Sequence, residues 1–210
     1  MDTPPEMRIA AIANKIEHIE AIVYTHSHAD HIFGMDDVRP FNYKQGGAMQ
    51  VYAEQEVQDD IRRIFGYAFR SGPIAGGRPQ IQLSMVRPQE PLEIADTAVT
   101  PLRVYHGALP ILAYKFGKNF AYVTDVNRIP DETIPYLMNL DVLMLDAVRI
   151  EKHETHFNLE EALAAINVLK PRQTYLTHLS HDFDYTKTNA SLPSGVKLTY
   201  DGHVFDVADD

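Results

Sequence analysis

Cysteine is absent from the chain. That excludes disulfides, a thiolate nucleophile and any metal site built on thiolates. It fits a reducing compartment, and the expected location is the cytoplasm. No apolar run is long enough to cross a bilayer and no signal peptide is recognisable, so no membrane partner is expected. Positive charge is also scarce: Lys and Arg number 19 against 29 Asp and Glu, a net charge of −10. So acidic a chain is poorly suited to hold a long polyanion by counterion release, which argues against a nucleic-acid partner. A small anionic substrate is still compatible, provided bound cations supply positive charge locally. Internal repeats and low-complexity tracts are missing as well. What is there is a chain of 210 residues, 45% hydrophobic, enough for one domain over residues 1–210 with a real core.

Histidine is plentiful, ten in all, and clustered. The run Ala21-Ile22-Val23-Tyr24 reads as a short buried strand. Directly after it come Thr25-His26-Ser27-His28-Ala29-Asp30-His31. Imidazole nitrogens and carboxylate oxygens are the usual ligands of zinc, manganese and iron. Alternation lets His26 and His28 face one way, while Asp30 and His31, past the turn, address a second ion. An isolated His-x-His would be read as a surface loop; His-x-His-x-Asp-His at a strand end reads as half of a two-metal hydrolytic site.

Along the chain, residues 1–20 read as a helix with Thr3 as N-cap and Pro4-Pro5 at its start. Met7, Ile9, Ala10, Ile12, Ala13 and Ile16 would form its apolar face. Residues 34–41 read as a loop or short helix closed by Pro40, 50–53 as a strand and 54–65 as a helix. The segment Gly66–Gly77 interleaves Tyr67, Phe69 and Arg70 with glycines, as a connection or a substrate-covering loop would. From Ile81 the period changes to two, giving short strands at 81–86, 92–94, 99–105, 111–116 and 120–124, with a tight turn at Gly117-Lys118-Asn119. A short helix at 130–139, a buried strand at 142–145, a helix at 159–169 capped by Asn158 with Glu161, and a strand at 174–177 follow. Residues 196–200 and 203–207 read as a hairpin across Asp201-Gly202. The pattern is that of a layered α/β sandwich.

Four of these strands end in a polar residue: His106, Asp125, Asp146 and His178. Each alone is a turn or cap residue as readily as a ligand. Beside the first cluster they gain weight, and a carboxylate such as Asp125 has two oxygens with which to bridge two ions.

The order of His26-Ser27-His28-Ala29-Asp30-His31, His106, Asp125 and His178 resembles the metallo-β-lactamase fold superfamily. Further stretches resemble its phosphoribosyl 1,2-cyclic phosphate phosphodiesterase-like branch: Asp2-Thr3-Pro4-Pro5-Glu6, Gly34-Met35-Asp36-Asp37-Val38-Arg39-Pro40-Phe41-Asn42, Leu145-Asp146-Ala147, His156-Phe157-Asn158-Leu159 and Leu176-Thr177-His178-Leu179-Ser180-His181. The resemblance implies an αββα four-layer sandwich. It starts at a point that family members reach after roughly fifty residues, so the fold is expected to be N-terminally truncated, with a sheet edge left unpaired.

The resemblance also implies roles. His26, His28 and His106 would hold one divalent ion, and Asp30, His31 and His178 the other. Asp125 would bridge them with a water or hydroxide. Zinc is the first expectation, with manganese or iron admitted by the mixed ligands. His156 would contact the substrate phosphate and serve as acid, His181 would lie in the same pocket, and Asp30 joins these two as a catalytic group. Asp146 would orient a ligand or close a loop. His18, His153 and His203 are given no chemistry. The activity so implied is hydrolysis of a small (cyclic) anionic phosphodiester. The rivals are a ribonuclease Z-like endonuclease, a thioesterase or lactonase on the same fold, and a non-catalytic metal-binding or interaction module. A homodimer is compatible with an unpaired edge.

Overall fold

Two stretches of ladder, one wholly parallel and one mixed, organise the computed structural model, which describes residues 1–72 and 77–207. They belong to two compact units, residues 1–87 and 88–210.

The N-terminal unit holds α1 (Met7–Ala13), β1 (Ala21–Val23), α2 (Ala29–Ile32), α3 (Arg39–Gln45), β2 (Met49–Ala53), α4 (Gln55–Ile64) and β3 (Ile81–Met85). The strands form a parallel sheet in the order β1-β2-β3. Its core gathers Ile22, Tyr24, Ile32, Met35, Val51 and Ile61. Each such side chain, once buried, contributes about 1.5–3 kcal/mol.

The expected helix over 1–20 is shorter, running only from Met7 to Ala13, and Lys15 stops it by entering the left-handed region at φ 54°. Thr3 is not its N-cap. It is buried, its hydroxyl lies 2.6 Å from the Tyr24 hydroxyl, and its amide donates to the His31 carbonyl. The helix turns Ala11 inward, so Ile9 and Ile12, expected on its apolar face, are exposed. Gly34 donates its N–H to the Thr3 carbonyl at 2.8 Å, and a Cβ there would sit 2.0 Å from the Pro4 carbonyl oxygen. Only glycine lets the N-terminal segment lie this close to the end of α2. Pro40 does not close the 34–41 segment but occupies the first turn of α3, where a missing N–H costs nothing. Residues 66–69 form a 3-10 turn. The centre of the expected covering loop, residues 73–76, lies outside the described residues.

The C-terminal unit holds β4 (Leu92–Ile94), β5 (Thr97–His106), β6 (Leu109–Phe116), β7 (Phe120–Val123), α5 (Ile134–Leu137), β8 (Val142–Asp146), α6 (Leu159–Leu169), β9 (Gln173–Thr177), α7 (Tyr185–Ser191) and β10 (Val196–Leu198). The sheet order is β10-β9-β8-β7-β6-β5-β4. From β7 to β10 the ladders are parallel; from β4 to β7 they are antiparallel. Leu102, Val104, Ile111, Val123, Leu143, Leu145 and Leu176 form the core with Ala162 and Leu169 of α6. The capping box expected at Asn158 is present in both directions. The hairpin at 196–207 is not. The turn forms, with Gly202 at φ 82° and the His203 amide on the Tyr200 carbonyl. The returning residues then pack by their rings, His203 and Phe205 at 4.6 and 4.7 Å from Tyr175, and make no ladder. α7 was not visible in the sequence, because Tyr185-Thr186-Lys187-Thr188-Asn189 has neither an apolar stripe nor high helix propensity; the Asp184 side chain caps it.

Candidate active site

In the N-terminal unit the functional stretch begins where β1 runs out. Tyr24 still follows the ladder, its amide bonded to the Tyr52 carbonyl, and then the chain turns away. His28 is the N-cap of α2, and Asp30 and His31 lie within that helix. Ser27 fixes the intervening loop by donating to Asp60 of α4 at 2.5 Å. That hydrogen bond, with help from Arg63, holds the Asp60 carboxyl below its usual range.

The imidazoles are oriented by one carboxylate. Asp2 accepts the Thr25 amide at 2.9 Å, the Thr25 hydroxyl at 3.0 Å and His31 Nδ1 at 3.0 Å. Because the Thr25 hydroxyl gives its proton to Asp2, its oxygen accepts from His26 Nδ1 at 3.0 Å. Both histidines therefore carry their proton on Nδ1 and present Nε2 as the donor atom a metal needs. The His26 ring lies 4.4 Å from that of His28 and 4.2 Å from that of His31. His31 Nε2 and the Asp30 carboxylate are 3.4 Å apart, a separation that two ligands of one ion adopt at bond lengths near 2.1 Å. Asp2 was not singled out by sequence reasoning. It stands 23 residues before Thr25, and no local signal links them.

In the C-terminal unit the four strand ends fall together for a topological reason. β5, β7, β8 and β9 all run in the same direction, so His106, Asp125, Asp146 and His178 emerge at one edge of the sheet. Asp125 and His178 take left-handed backbone angles, φ 53° and 59°, which turn the chain sharply just past a strand. Such residues cost of order 1–3 kcal/mol and persist where the surroundings hold them. The Thr124 hydroxyl donates to Asp125 at 2.7 Å, and His178 Nδ1 is 3.5 Å from the same carboxylate. Ligand-capable atoms of His106, Asp125 and His156 lie within 4.8 Å of one another. His106 Nδ1 donates to the Thr155 carbonyl at 2.8 Å. Burial holds this imidazole below its usual pKa, with His156 and His178 adding to the effect against that hydrogen bond and Asp125; the lowered pKa favours the neutral form a ligand needs.

Asp146 is wholly buried and orients His156, with Nδ1 to carboxylate at 2.8 Å. The same oxygen accepts the Val126 amide at 2.9 Å, while its other oxygen has no hydrogen-bond partner among the described residues. This carboxyl is pushed up to about 8, chiefly by burial, with Asp125 acting in the same direction and His178 and the amides of Val126 and Phe157 opposing. The His156 ring is stacked on His178 at 5.0 Å and lies 4.5 Å from His106. His153, read from sequence as a loop residue, sits 5.0 Å from His156. Its signal was the spacing His153-x-x-His156 within one loop. The side chain of His181 is 98% exposed, with Asp182 3.7 Å away, and it belongs to none of the ligand-spaced groups among the described residues.

The donor set, imidazoles turned by protein oxygens and carboxylates at ligand spacing, fits divalent metal ions. The Beta-lactamase superfamily domain model matches residues 2–179. The chain belongs to the metallo-β-lactamase superfamily. Its mixed α/β architecture is the fold of that superfamily. Among solved structures, a diphosphatase from the PhnP family is 39% identical, with 96% of this chain and 76% of that chain covered and a TM-score of 0.88. That likeness places the chain in the PhnP family of the superfamily. The short form of human tRNase Z shares the fold at 17% identity and TM-score 0.71, over 99% of this chain and 87% of that one. An octanoyltransferase of Porphyromonas gingivalis is 36% identical over 204 residues, 96% of this chain but 41% of the relative. The chain thus spans about two fifths of the length of that curated relative. No helix among the described residues is long and apolar enough to cross a membrane.

Proposed function

We propose that this chain is a metal-dependent hydrolase that uses water to cleave a small anionic phosphodiester, cyclic or open, with two divalent ions as cofactors. The observation that carries the reading is His156: a buried imidazole, held by a buried carboxylate, stacked on His178 and beside His106. Together with the motif order, it is the equipment expected for phosphorus chemistry in this superfamily.

His26, His28 and His106 would hold one ion, Asp30, His31 and His178 the second, and Asp125 both; zinc is the first expectation. When bound, the ions supply Lewis acidity and lower the pKa of water toward neutrality. The chain's own residues do the rest. Asp2 and Thr25 keep His26 and His31 in the tautomer that ligates. Asp146 holds the His156 ring by Nδ1. As imidazolium, His156 protonates the leaving oxygen from Nε2. His181, whose side chain is almost fully exposed, is given no step. The name of the PhnP-family relative makes a phosphoanhydride the first linkage to compare with a phosphodiester. An acyl-transfer role is not carried over from the octanoyltransferase, since the clusters consist of imidazoles and carboxylates and the relative is more than twice as long. The likeness to tRNase Z, at 17% identity, is one of fold alone, and the net charge of −10 argues against a tRNA substrate.

The test is turnover of bis(p-nitrophenyl) phosphate, a cyclic phosphodiester, a dinucleoside diphosphate, a thioester and a lactone, with zinc or manganese and after chelation. Phosphodiester turnover restored by metal is expected. His28→Ala and Asp125→Ala should lose metal and activity together. His156→Ala should keep its metal while turnover falls about 10²–10⁴-fold. Preference for the thioester or lactone, or metal-independent turnover, would overturn the reading.

A further inference from the structure

We infer that His153 is a second substrate-contacting imidazole, which donates from Nε2 to an oxygen of the anionic substrate beside the one His156 addresses. This rests on the hydrolase reading above and extends it to what fixes the substrate's anionic group.

Three observations carry it. The first is position. His106, His156 and His153 form a row of rings at 4.5 and 5.0 Å, and His153 is its half-buried outer member, reachable from solvent. The second is polarity. His153 Nδ1 accepts the Thr155 backbone N–H at 3.2 Å and lies 3.3 Å from the Thr155 hydroxyl. An amide nitrogen can only donate, so in the neutral ring the proton is on Nε2. The ring is thus preset as a donor, the complement of an anionic oxygen and the wrong polarity for a metal ligand at that atom. The third is rigidity. Thr155 also receives His106 Nδ1 on its carbonyl, so one residue positions both rings. The loop is pinned on either side: Asn127 accepts the Gly107 amide and donates to the Glu154 carbonyl, both at 2.8 Å. Arg149 donates to the carbonyls of Glu151 and Lys152, which ties its guanidinium to the two residues that lead into His153. A neutral donor beside a fixed cation suits a phosphate oxygen.

The experiment measures steady-state kinetics on the best phosphodiester, calorimetric binding of inorganic phosphate, and metal content, for wild type, His153→Ala and His153→Gln. In His153→Ala, KM should rise and phosphate affinity should fall by about 10- to 100-fold, as for loss of a hydrogen bond to a charged group. kcat should change by less than about threefold, and metal content should hold. His153→Gln, which restores a donor, should recover part of both losses. Unchanged KM and phosphate affinity would overturn the inference. Loss of metal in both variants would also overturn it, by making His153 a support for the loop that holds His106. If wild type turns over no phosphorus substrate but the phosphate affinities follow the stated pattern, the hydrolase reading fails and His153 stands as an anion contact.

Discussion

In the N-terminal unit the donor side chains come from six consecutive residues and lean on one carboxylate, Asp2. In the C-terminal unit they come from separate strand ends and lean on backbone: left-handed turns at Asp125 and His178, and the Thr155 carbonyl under His106. The first arrangement is cheap to encode, because a short motif brings its own spacing. The second depends on strand direction, so every ladder from β5 to β9 has to form before the ligands meet. Asp146, the carboxylate that resembles Asp2 in role among the described residues of the C-terminal unit, serves His156 rather than an expected ligand.

This contrast makes Asp2 and Asp146 separable. Asp146→Asn keeps the volume and the oxygen that accepts from Val126 and His156, but an amide cannot share a proton with the imidazole as the carboxyl does. Turnover should fall about 10²-fold or more with metal content intact, as measured by kinetics and metal analysis of the same sample. An Asp146→Asn enzyme that turns over within threefold of wild type would make the pair merely structural. Asp2→Ala should do the opposite. Metal affinity should weaken about 10- to 100-fold, read by competition with a chelating dye, and activity should return at high metal concentration. Equal affinity in the variant would show that the motif orients itself. The smallest effect is expected at Gly107→Ala, where φ is 63° and a Cβ would meet the Thr155 side chain at 2.9 Å. Thermal unfolding should report a loss of about 1–2 kcal/mol, since the left-handed angle alone costs that much for a residue with a side chain. No change would mean that the loop around Thr155 gives way freely.

The same contrast explains what could be read from the sequence. The His26–His31 motif was legible because its residues are neighbours. The strand-end residues were legible because a period of two marks each strand and its last residue. The capping box at Asn158 was legible for a similar local reason. Asp2 was not, because its partners are distant in sequence and its only cue is a turn-forming Thr-Pro-Pro. His153 was not, because its role depends on where Thr155 places it. The helix over 1–20 was overextended, since an apolar period does not foresee a left-handed Lys15. The terminal hairpin failed because the Asp201-Gly202 turn sets a reversal but not a partner, and Tyr175 offered the returning rings a better surface.

Thr155 connects a ring expected to hold metal with a ring inferred to hold anion, through the carbonyl and the amide of one residue. A residue shared in this way makes the two bindings reciprocal. Whatever factor an anion held by His153 applies to metal affinity, metal must apply to the affinity for that anion. The phosphomonoester product would then act on the enzyme as a gauge of how firmly its metal is held.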